Sequence, residues 1–100
     1  MNWQGYIILC SDESLYTGIS NDVVRRFKQH ESKQGAKYFR ARQPKQLVYV
    51  ETGHDRRSAS KRECAIKKLP RLEKLQLLAA ENNQASAFVG ATPTSRLTKQ

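Results

Sequence analysis

Three short runs of apolar, β-branched and aromatic residues predict β-strands over residues 5–11, 15–19 and 47–50. The polar stretch 11–14 between the first two runs predicts an antiparallel hairpin. Apolar residues at helical spacing predict a helix from the capping residues 20–22 to about residue 33, a second over 57–69 and a third beyond Pro70. A short helix or an irregular basic segment is expected over 36–43. The order β–β–α–(α)–β–α–α predicts an α/β protein of the α+β type, with a small, mainly antiparallel three-stranded sheet flanked by helices.

Length and composition predict one globular domain. The 100 residues are 38% hydrophobic and 27% charged, which suffices for a single small core. Residues 3–81 are expected to form this domain. Residues 82–100 lack periodicity and are expected to be a flexible tail, in which Phe88-Val89 could dock. Neither a membrane span of about 18 apolar residues nor a signal-peptide pattern is found, so an integral membrane protein and a secreted protein are not expected.

Positive charge is the strongest feature of the composition. Eighteen Lys and Arg against nine Asp and Glu give a net charge of +9. A field of this sign attracts polyanions, nucleic acid before anionic lipid. A membrane-surface binder would need an amphipathic helix rich in Trp, Phe and Leu, which the sequence lacks. Two groups of basic residues precede the third strand: Arg25, Arg26 and Lys28, then Lys37, Arg40, Arg42 and Lys45.

The two cysteines do not indicate a disulfide scaffold. Cys10 lies in an apolar run and Cys64 in a predicted helix, and no CxxC spacing is present. Together with His30 and His54 they could supply four zinc ligands, but the spacing matches none of the usual zinc patterns. Two free thiols in a reducing cytoplasm are therefore expected.

The hairpin and the first helix contain polar side chains that could act together. Alternation places Tyr6 on one face of the first strand, and Tyr16 shares a face of the second strand with Gly18. Arg26 and His30 are four residues apart, so they lie one turn apart on one side of the helix. Each residue taken singly is better explained by packing, as a tyrosine at the rim of a core or an arginine with its head in water.

Glu63 is the acidic residue that most needs an explanation. It lies four residues after Ala59 and three before Ile66, within the apolar stripe of its predicted helix. An unpaired carboxylate there would be costly, so such a group is normally paired, neutralised or bound to a metal. An ion pair with one of the arginines and a functional role are both open from local reasoning.

Taken together, these residues resemble the GIY-YIG nuclease domain superfamily. The first motif has the form Gln4-Gly5-Tyr6 and the second Tyr16-Thr17-Gly18, with Arg26 ten residues beyond Tyr16 and Glu63 on a later helix. The resemblance extends to about residue 80, and the size is similar to the small stand-alone bacterial (YhbQ-like) subgroup. The chain departs from the usual pattern at four places: Gln4 and Thr17 within the motifs, Ile19 where many members have Lys, and Leu75 near the place of an Asn in some relatives.

The resemblance implies hydrolysis of phosphodiester bonds with one divalent ion, Mg²⁺ or Mn²⁺. Glu63 would be the protein ligand of this ion, in a shell otherwise of water and phosphate oxygens. One of Tyr6 and Tyr16 would accept the proton of the attacking water, with its pKa lowered by the metal and by Arg26. Arg26 would stabilise the charge on the phosphorane oxygens, and His30 would bind phosphate or assist the proton relay.

DNA, in preference to RNA, is the expected substrate, recognised by structure and not by sequence. The resemblance implies a role in repair or processing, with no organic cofactor and no membrane partner; a protein partner is left open. Phosphate contacts are expected from Arg25, Lys28, Lys37, Arg40, Arg42 and Lys45. The alternative is a non-catalytic module for DNA or RNA that keeps the fold and the charge. The combination of two tyrosines, an arginine, a histidine and a carboxylate favours the enzyme, because binding alone would not require a carboxylate facing phosphate.

Overall fold

The computed structural model describes residues 2–32, 42–80 and 83–85. Its sheet has three strands: β1 (Trp3–Cys10), β2 (Leu15–Ser20) and β3 (Pro44–His54). Their order is β2-β1-β3 and both pairs are antiparallel, so β1 is central. Tyr6 of β1 lies opposite Gly18 of β2 and Val50 of β3. The predicted α+β class and the antiparallel sheet are confirmed.

Within the described residues, three helices pack on the sheet: α1 (Val23–Glu31), α2 (Arg56–Lys67) and α3 (Arg71–Leu78). The Asp22 carboxylate caps α1 by accepting a hydrogen bond from the Arg25 backbone N–H. Asp55 caps α2 in the same way, and its own N–H donates to the Ser58 hydroxyl. Pro70 immediately precedes α3, where the absence of its N–H costs nothing.

β3 is much longer than the predicted strand 47–50. It begins at Pro44 and continues through the expected loop to His54. Proline is tolerated at the first residue of an edge strand because it has no ladder hydrogen bond to donate there. Gly53 has a φ of +85°, a left-handed conformation that glycine adopts without strain.

The sheet has an apolar cluster on each face, as strand alternation predicts. Tyr6, Ile8 and Cys10 pack with Val23 and Phe27 of α1 on one face. On the other face, the cluster consists of Ile7, Tyr49 and Ile66, with Leu15, Val48, Leu77 and Leu78 packed against it. The hairpin is therefore enclosed between α1 and the α2–α3 layer, and β2 is an edge strand among the strands that the structure describes.

The chain beyond the predicted domain boundary at residue 81 is described only at 83–85. The Asn83 amide donates to the carbonyls of Val48 and Leu78, and Gln84 N–H donates to Val50 O. These three residues therefore lie against β3. The boundary itself stays a prediction, and both Phe88-Val89 and most of segment 36–43 fall outside the described residues. No helix in the described part of the chain is long and apolar enough to cross a membrane.

Candidate active site

The two tyrosines converge across Gly18 at the β2 edge of the sheet. A Cβ atom on Gly18 would lie 2.6 Å from the Tyr6 hydroxyl oxygen and 3.1 Å from Tyr16 Cε2. Real Cβ contacts do not reach 2.6 Å, so only glycine allows the Tyr6 ring to cross β2 here. The ring centroids of the two tyrosines are 6.2 Å apart. The hairpin register therefore brings two phenol groups, ten residues apart in sequence, to one place.

Helix α1 places His30 and Arg26 beside these rings. His30 Nε2 lies 3.0 Å from the Tyr6 hydroxyl oxygen, and the His30 side chain has no exposed surface. The Tyr16 ring meets the imidazole edge-on, with a centroid distance of 5.4 Å. The Arg26 guanidinium donates to Gln29 Oε1 at 3.0 Å. Because His30 is enclosed, its position favours the expected proton-relay role over direct phosphate binding.

Burial determines the protonation of this cluster. It raises the pKa of Tyr6 far above its ordinary value; negative charge on Tyr16 acts in the same direction, and Arg26 opposes both. Burial also raises the pKa of Tyr16, against the charges of Lys67 and Arg26. Burial and then the nearby charge of Arg26 lower the pKa of His30 to about 4. At neutral pH the site thus has two protonated phenols and a neutral imidazole. Arg26 lowers the pKa of both phenols, as expected, but burial raises it by more.

The low pKa of His30 makes folding stability depend on pH. Histidine in the unfolded chain has a pKa near 6.5, so between pH 6.5 and about 4 the unfolded state binds one more proton than the folded state. We expect stability to fall by about 3 kcal/mol as pH drops through this window, from the difference between the two pKa values. His30→Gln should remove this dependence, as measured by urea unfolding at pH 7 and pH 4.5. His54, the other histidine, is present in both proteins and cancels. An equal loss of stability in the wild type and in His30→Gln between pH 7 and pH 4.5 would contradict the expectation.

Glu63 approaches the same cluster from α2. Its negative charge raises the pKa of both Tyr6 and Tyr16, so the carboxylate is near enough to act on both phenols. The side chain is 22% exposed and forms a 3.0 Å ion pair with Lys67, one turn further along the helix. The partner of Glu63 is thus a lysine and not one of the arginines considered from the sequence. Arg62, its neighbour in sequence, donates from Nε to Glu51 at 2.8 Å.

The residues expected to contact phosphate lie in different places. Arg25 and Lys28 are exposed on α1, close in sequence to Arg26. Arg42 and Lys45 lie at the β1–β2 turn, where they form ion pairs of 2.6 Å with Asp12 and 3.6 Å with Glu13. Hydrogen bonds from Ser14 and then Arg42 lower the pKa of Asp12 to about 2, so this carboxylate stays charged near neutral pH. Lys37 and Arg40 lie outside the described residues. The role of all six in binding stays a prediction.

Two residues beside the cluster were not among those expected from the sequence. Gln29 accepts a hydrogen bond from Arg26, and Lys67 is paired with Glu63. Both lie at helical spacing from their partners, three and four residues on, and this spacing is readable in the sequence. Of the five predicted catalytic residues, the structure groups Tyr6, Tyr16, Arg26 and His30, and Glu63 acts on both tyrosines through its charge; the roles of all five remain predictions.

Comparison with known proteins identifies the family of this chain. The family model described as the GIY-YIG catalytic domain matches residues 2–76. The chain belongs to the GIY-YIG family. It is 48% identical over 87 residues to UPF0213 protein DP2720 of Desulfotalea psychrophila, covering 86% of this chain and 79% of that protein. It is 49% identical over 77 residues to UPF0213 protein CPE1444 of Clostridium perfringens, covering 77% and 83% of the two chains.

A solved structure is also similar to this GIY-YIG chain. The solution NMR structure of UPF0213 protein BH0048 from Bacillus halodurans has a TM-score of 0.55 and 37% identity, and the match covers 98% of each chain. The predicted membership of the GIY-YIG family and of its small stand-alone subgroup is therefore confirmed. A GIY-YIG domain places the chain in an endonuclease superfamily and supports a nuclease-type function with nucleic acid as substrate. GIY-YIG nucleases typically use a divalent metal.

The donor set of the site is suited to one kind of metal ion. Among residues 2–32, 42–80 and 83–85, no three His, Cys, Asp or Glu side chains are grouped to hold a metal. A zinc site needs three or four such ligands, so the alternative of Cys10 and Cys64 with the two histidines finds no support in this part of the chain. Mg²⁺ keeps several waters and needs one or two carboxylates with substrate phosphates. The single, partly exposed Glu63 carboxylate fits that requirement.

Proposed function

We propose that this GIY-YIG protein hydrolyses phosphodiester bonds in DNA with one divalent ion, Mg²⁺ or Mn²⁺. The observation that supports this best is the 3.0 Å contact between the Tyr6 hydroxyl and a neutral, buried His30, at the edge where Glu63 also acts. A surface that only binds phosphate does not need a buried phenol–imidazole pair, and a carboxylate there would repel the phosphate. A metal-dependent hydrolytic site uses both, the phenol–imidazole pair for proton transfer and the carboxylate to hold the divalent ion.

Each side chain has a defined task in this proposal. The Tyr6 hydroxyl accepts a hydrogen bond from the attacking water and donates its own proton towards His30 Nε2, which requires the imidazole tautomer with hydrogen on Nδ1. Arg26 stabilises the negative charge that grows on the phosphate oxygens, and Gln29 holds its guanidinium in place. Glu63 would hold the divalent ion, which when bound supplies Lewis-acid stabilisation of that same charge.

The proposed substrate is DNA recognised by its structure, in repair or processing. Direct readout of sequence requires a helix or strand pair inserted in the major groove with several side chains at base edges. The site here lies at a sheet edge beside a helix of nine residues. Phosphate contacts from exposed arginine and lysine side chains provide affinity without sequence information.

The decisive experiment incubates the full chain with end-labelled branched, nicked and fully duplex DNA. Each substrate is tested in EDTA, in Mg²⁺ and in Mn²⁺, and products are separated on a denaturing gel. We expect strand cleavage that requires the metal and is fastest on branched or nicked DNA. Binding to all substrates without cleavage of any under these conditions would contradict the proposal and leave the non-catalytic binding module.

The binding module is retained as the second candidate because of one contact. Lys67 neutralises Glu63 at 3.0 Å, so this carboxylate has a charge partner without any metal. Binding of Mn²⁺ measured by calorimetry separates the two candidates, since only the nuclease needs Glu63 to exchange Lys67 for a divalent ion.

Binding to DNA is expected to depend steeply on salt. The slope of log Kd against log salt concentration changes by about 0.9 for each phosphate contact, so the double variant Arg25→Ala/Lys28→Ala should flatten it by about 1.8. The matched control, Arg71→Ala/Lys74→Ala, removes the same charge from α3 in the other helical layer and should change the slope less. Equal changes for the two double variants, measured by fluorescence anisotropy, would show that the contribution of α1 is only that of net charge.

A further inference from the structure

A surface groove of about 280 Å³ adjoins the candidate active site where β2 leads into α1. Its lining includes Trp3, Ile19, Asn21, Arg25, Arg26 and Gln29. The volume is just below the usual range for ligand pockets, roughly 300–1,000 Å³. The groove is therefore large enough for one planar group with a sugar, and too small for a duplex end.

The groove and the catalytic cluster share Arg26. This side chain lines the groove, and its guanidinium also lowers the pKa of Tyr6 by charge and by a hydrogen bond. A phosphate bound at Arg26 is thus in reach of the tyrosines on one side and of the groove on the other. The next nucleotide along the same strand would enter the groove.

The chemistry of the lining suits a nucleobase. Trp3 and Ile19 provide an aromatic and an apolar surface, and the Asn21 and Gln29 amides can donate and accept hydrogen bonds. The Arg56 guanidinium lies over the Trp3 ring, 5.6 Å from its centroid, in a cation–π contact. Asp22 also lines the groove, and its negative charge disfavours a second phosphate there. A base amino group, in contrast, is a suitable neighbour for that carboxylate.

We propose that this groove binds one unpaired nucleotide of a DNA strand, with its base against Trp3, next to the phosphate held at Arg26. This inference rests on the proposed nuclease function and specifies its substrate class. A base inside a duplex is stacked on both sides and paired, so it enters such a groove only at the cost of unstacking. The preferred substrates are therefore DNA with an unpaired nucleotide beside the cleaved bond, as in a flap or a branch.

The chain has a single tryptophan, so tryptophan fluorescence, excited selectively over the four tyrosines, reports on this groove. The full chain in EDTA is titrated with three DNA duplexes: one with a single unpaired nucleotide at one end, one with an abasic residue at that position, and one with a blunt end. We expect the unpaired base to quench Trp3 fluorescence and to bind about tenfold tighter than the abasic form, a typical loss for one stacked base. Equal affinities with equal fluorescence for the first two would show that the groove takes only phosphate and would overturn the inference.

Variants of Trp3 test the same point through affinity measured by anisotropy. Trp3→Leu should reduce affinity for the unpaired-base duplex to the abasic level and leave abasic binding unchanged, whereas Trp3→Tyr should restore most of the difference. Circular dichroism checks that each variant is folded. If Trp3→Leu is not folded, the wild-type titration by itself tests the inference. Absence of base discrimination in the wild type, or its persistence in folded Trp3→Leu, with DNA cleavage intact would overturn the groove assignment alone. Failure to bind any of the three duplexes would overturn the proposed function with it.

Discussion

Glu63→Gln is expected to lower the rate of Mg²⁺-dependent DNA cleavage on the order of a thousandfold. The substitution keeps the size of the side chain and one acceptor oxygen but removes the charge that would hold a divalent ion. A bound ion contributes several kcal/mol to the transition state of phosphate chemistry, and each 1.36 kcal/mol changes the rate about tenfold. Single-turnover cleavage of branched DNA at saturating protein measures the effect.

The same variant should fold almost as stably as the wild type in EDTA. Glu63 loses only its pair with Lys67, a surface pair four residues apart on one helix, which is worth about 0.3–0.5 kcal/mol. Glu51→Gln is the matched control, because it neutralises a carboxylate that Arg62 binds at 2.8 Å on the β3 side of α2. It should cost about 1–3 kcal/mol of stability, the range for loss of a charged hydrogen bond, and leave cleavage at its normal rate.

The two glutamate variants therefore have opposite expected profiles. Thermal unfolding in EDTA and cleavage in Mg²⁺ are measured for both, with Mn²⁺ calorimetry as a third readout. Reduced stability of Glu63→Gln with unchanged cleavage would make Glu63 a structural ion-pair residue and exclude it as the metal ligand. Loss of Mn²⁺ binding in Glu63→Gln but not in Glu51→Gln would instead identify the ligand independently of activity.

Strand alternation predicted much of the fold because it depends on local sequence. Tyr6 and Ile7 point to opposite faces of β1, and each lies in the apolar cluster expected for it. The length of β3 was not predictable in this way. Its residues beyond Val50 include polar side chains and Gly53, which resemble a loop in sequence. They are held as a strand by pairing with β1, and such long-range pairing has no local signal.

The resemblance indicates the candidate residues of the site but not their electrostatics. The five side chains come from the similarity to the GIY-YIG domain, and Gly18 belongs to the second motif, Tyr16-Thr17-Gly18. That a Cβ on Gly18 would meet the Tyr6 hydroxyl follows only from the hairpin register and the ring orientation. The direction of the pKa shifts also requires the structure, since burial is a property of the packed cluster. Arg26 alone would have suggested phenols that ionise more easily.

Tyr6→Phe is expected to lower the single-turnover cleavage rate by about 10²–10⁴, the usual contribution of a proton-transfer group. The variant keeps the ring over Gly18 and removes only the hydroxyl that contacts His30 Nε2. Loss of this buried hydrogen bond should cost about 1 kcal/mol of stability, so the protein remains folded at the assay temperature. His30→Gln should lower the rate by a similar factor, because it removes the acceptor for the Tyr6 proton.

The double variant Tyr6→Phe/His30→Gln tests whether the two residues act as one unit. Once the Tyr6 hydroxyl is gone, no proton passes to residue 30, so replacing His30 should reduce the rate no further. Effects of residues that act together are strongly non-additive, whereas independent contributions multiply in the rate. The cycle Tyr16→Phe/His30→Gln is the comparison, since Tyr16 lies edge-on to the same imidazole. If the rate effects of Tyr6→Phe and His30→Gln multiply while those of Tyr16→Phe and His30→Gln do not, the proton-accepting role belongs to Tyr16. The reverse result would assign it to Tyr6, because only a direct hydrogen-bonded relay makes the second substitution silent.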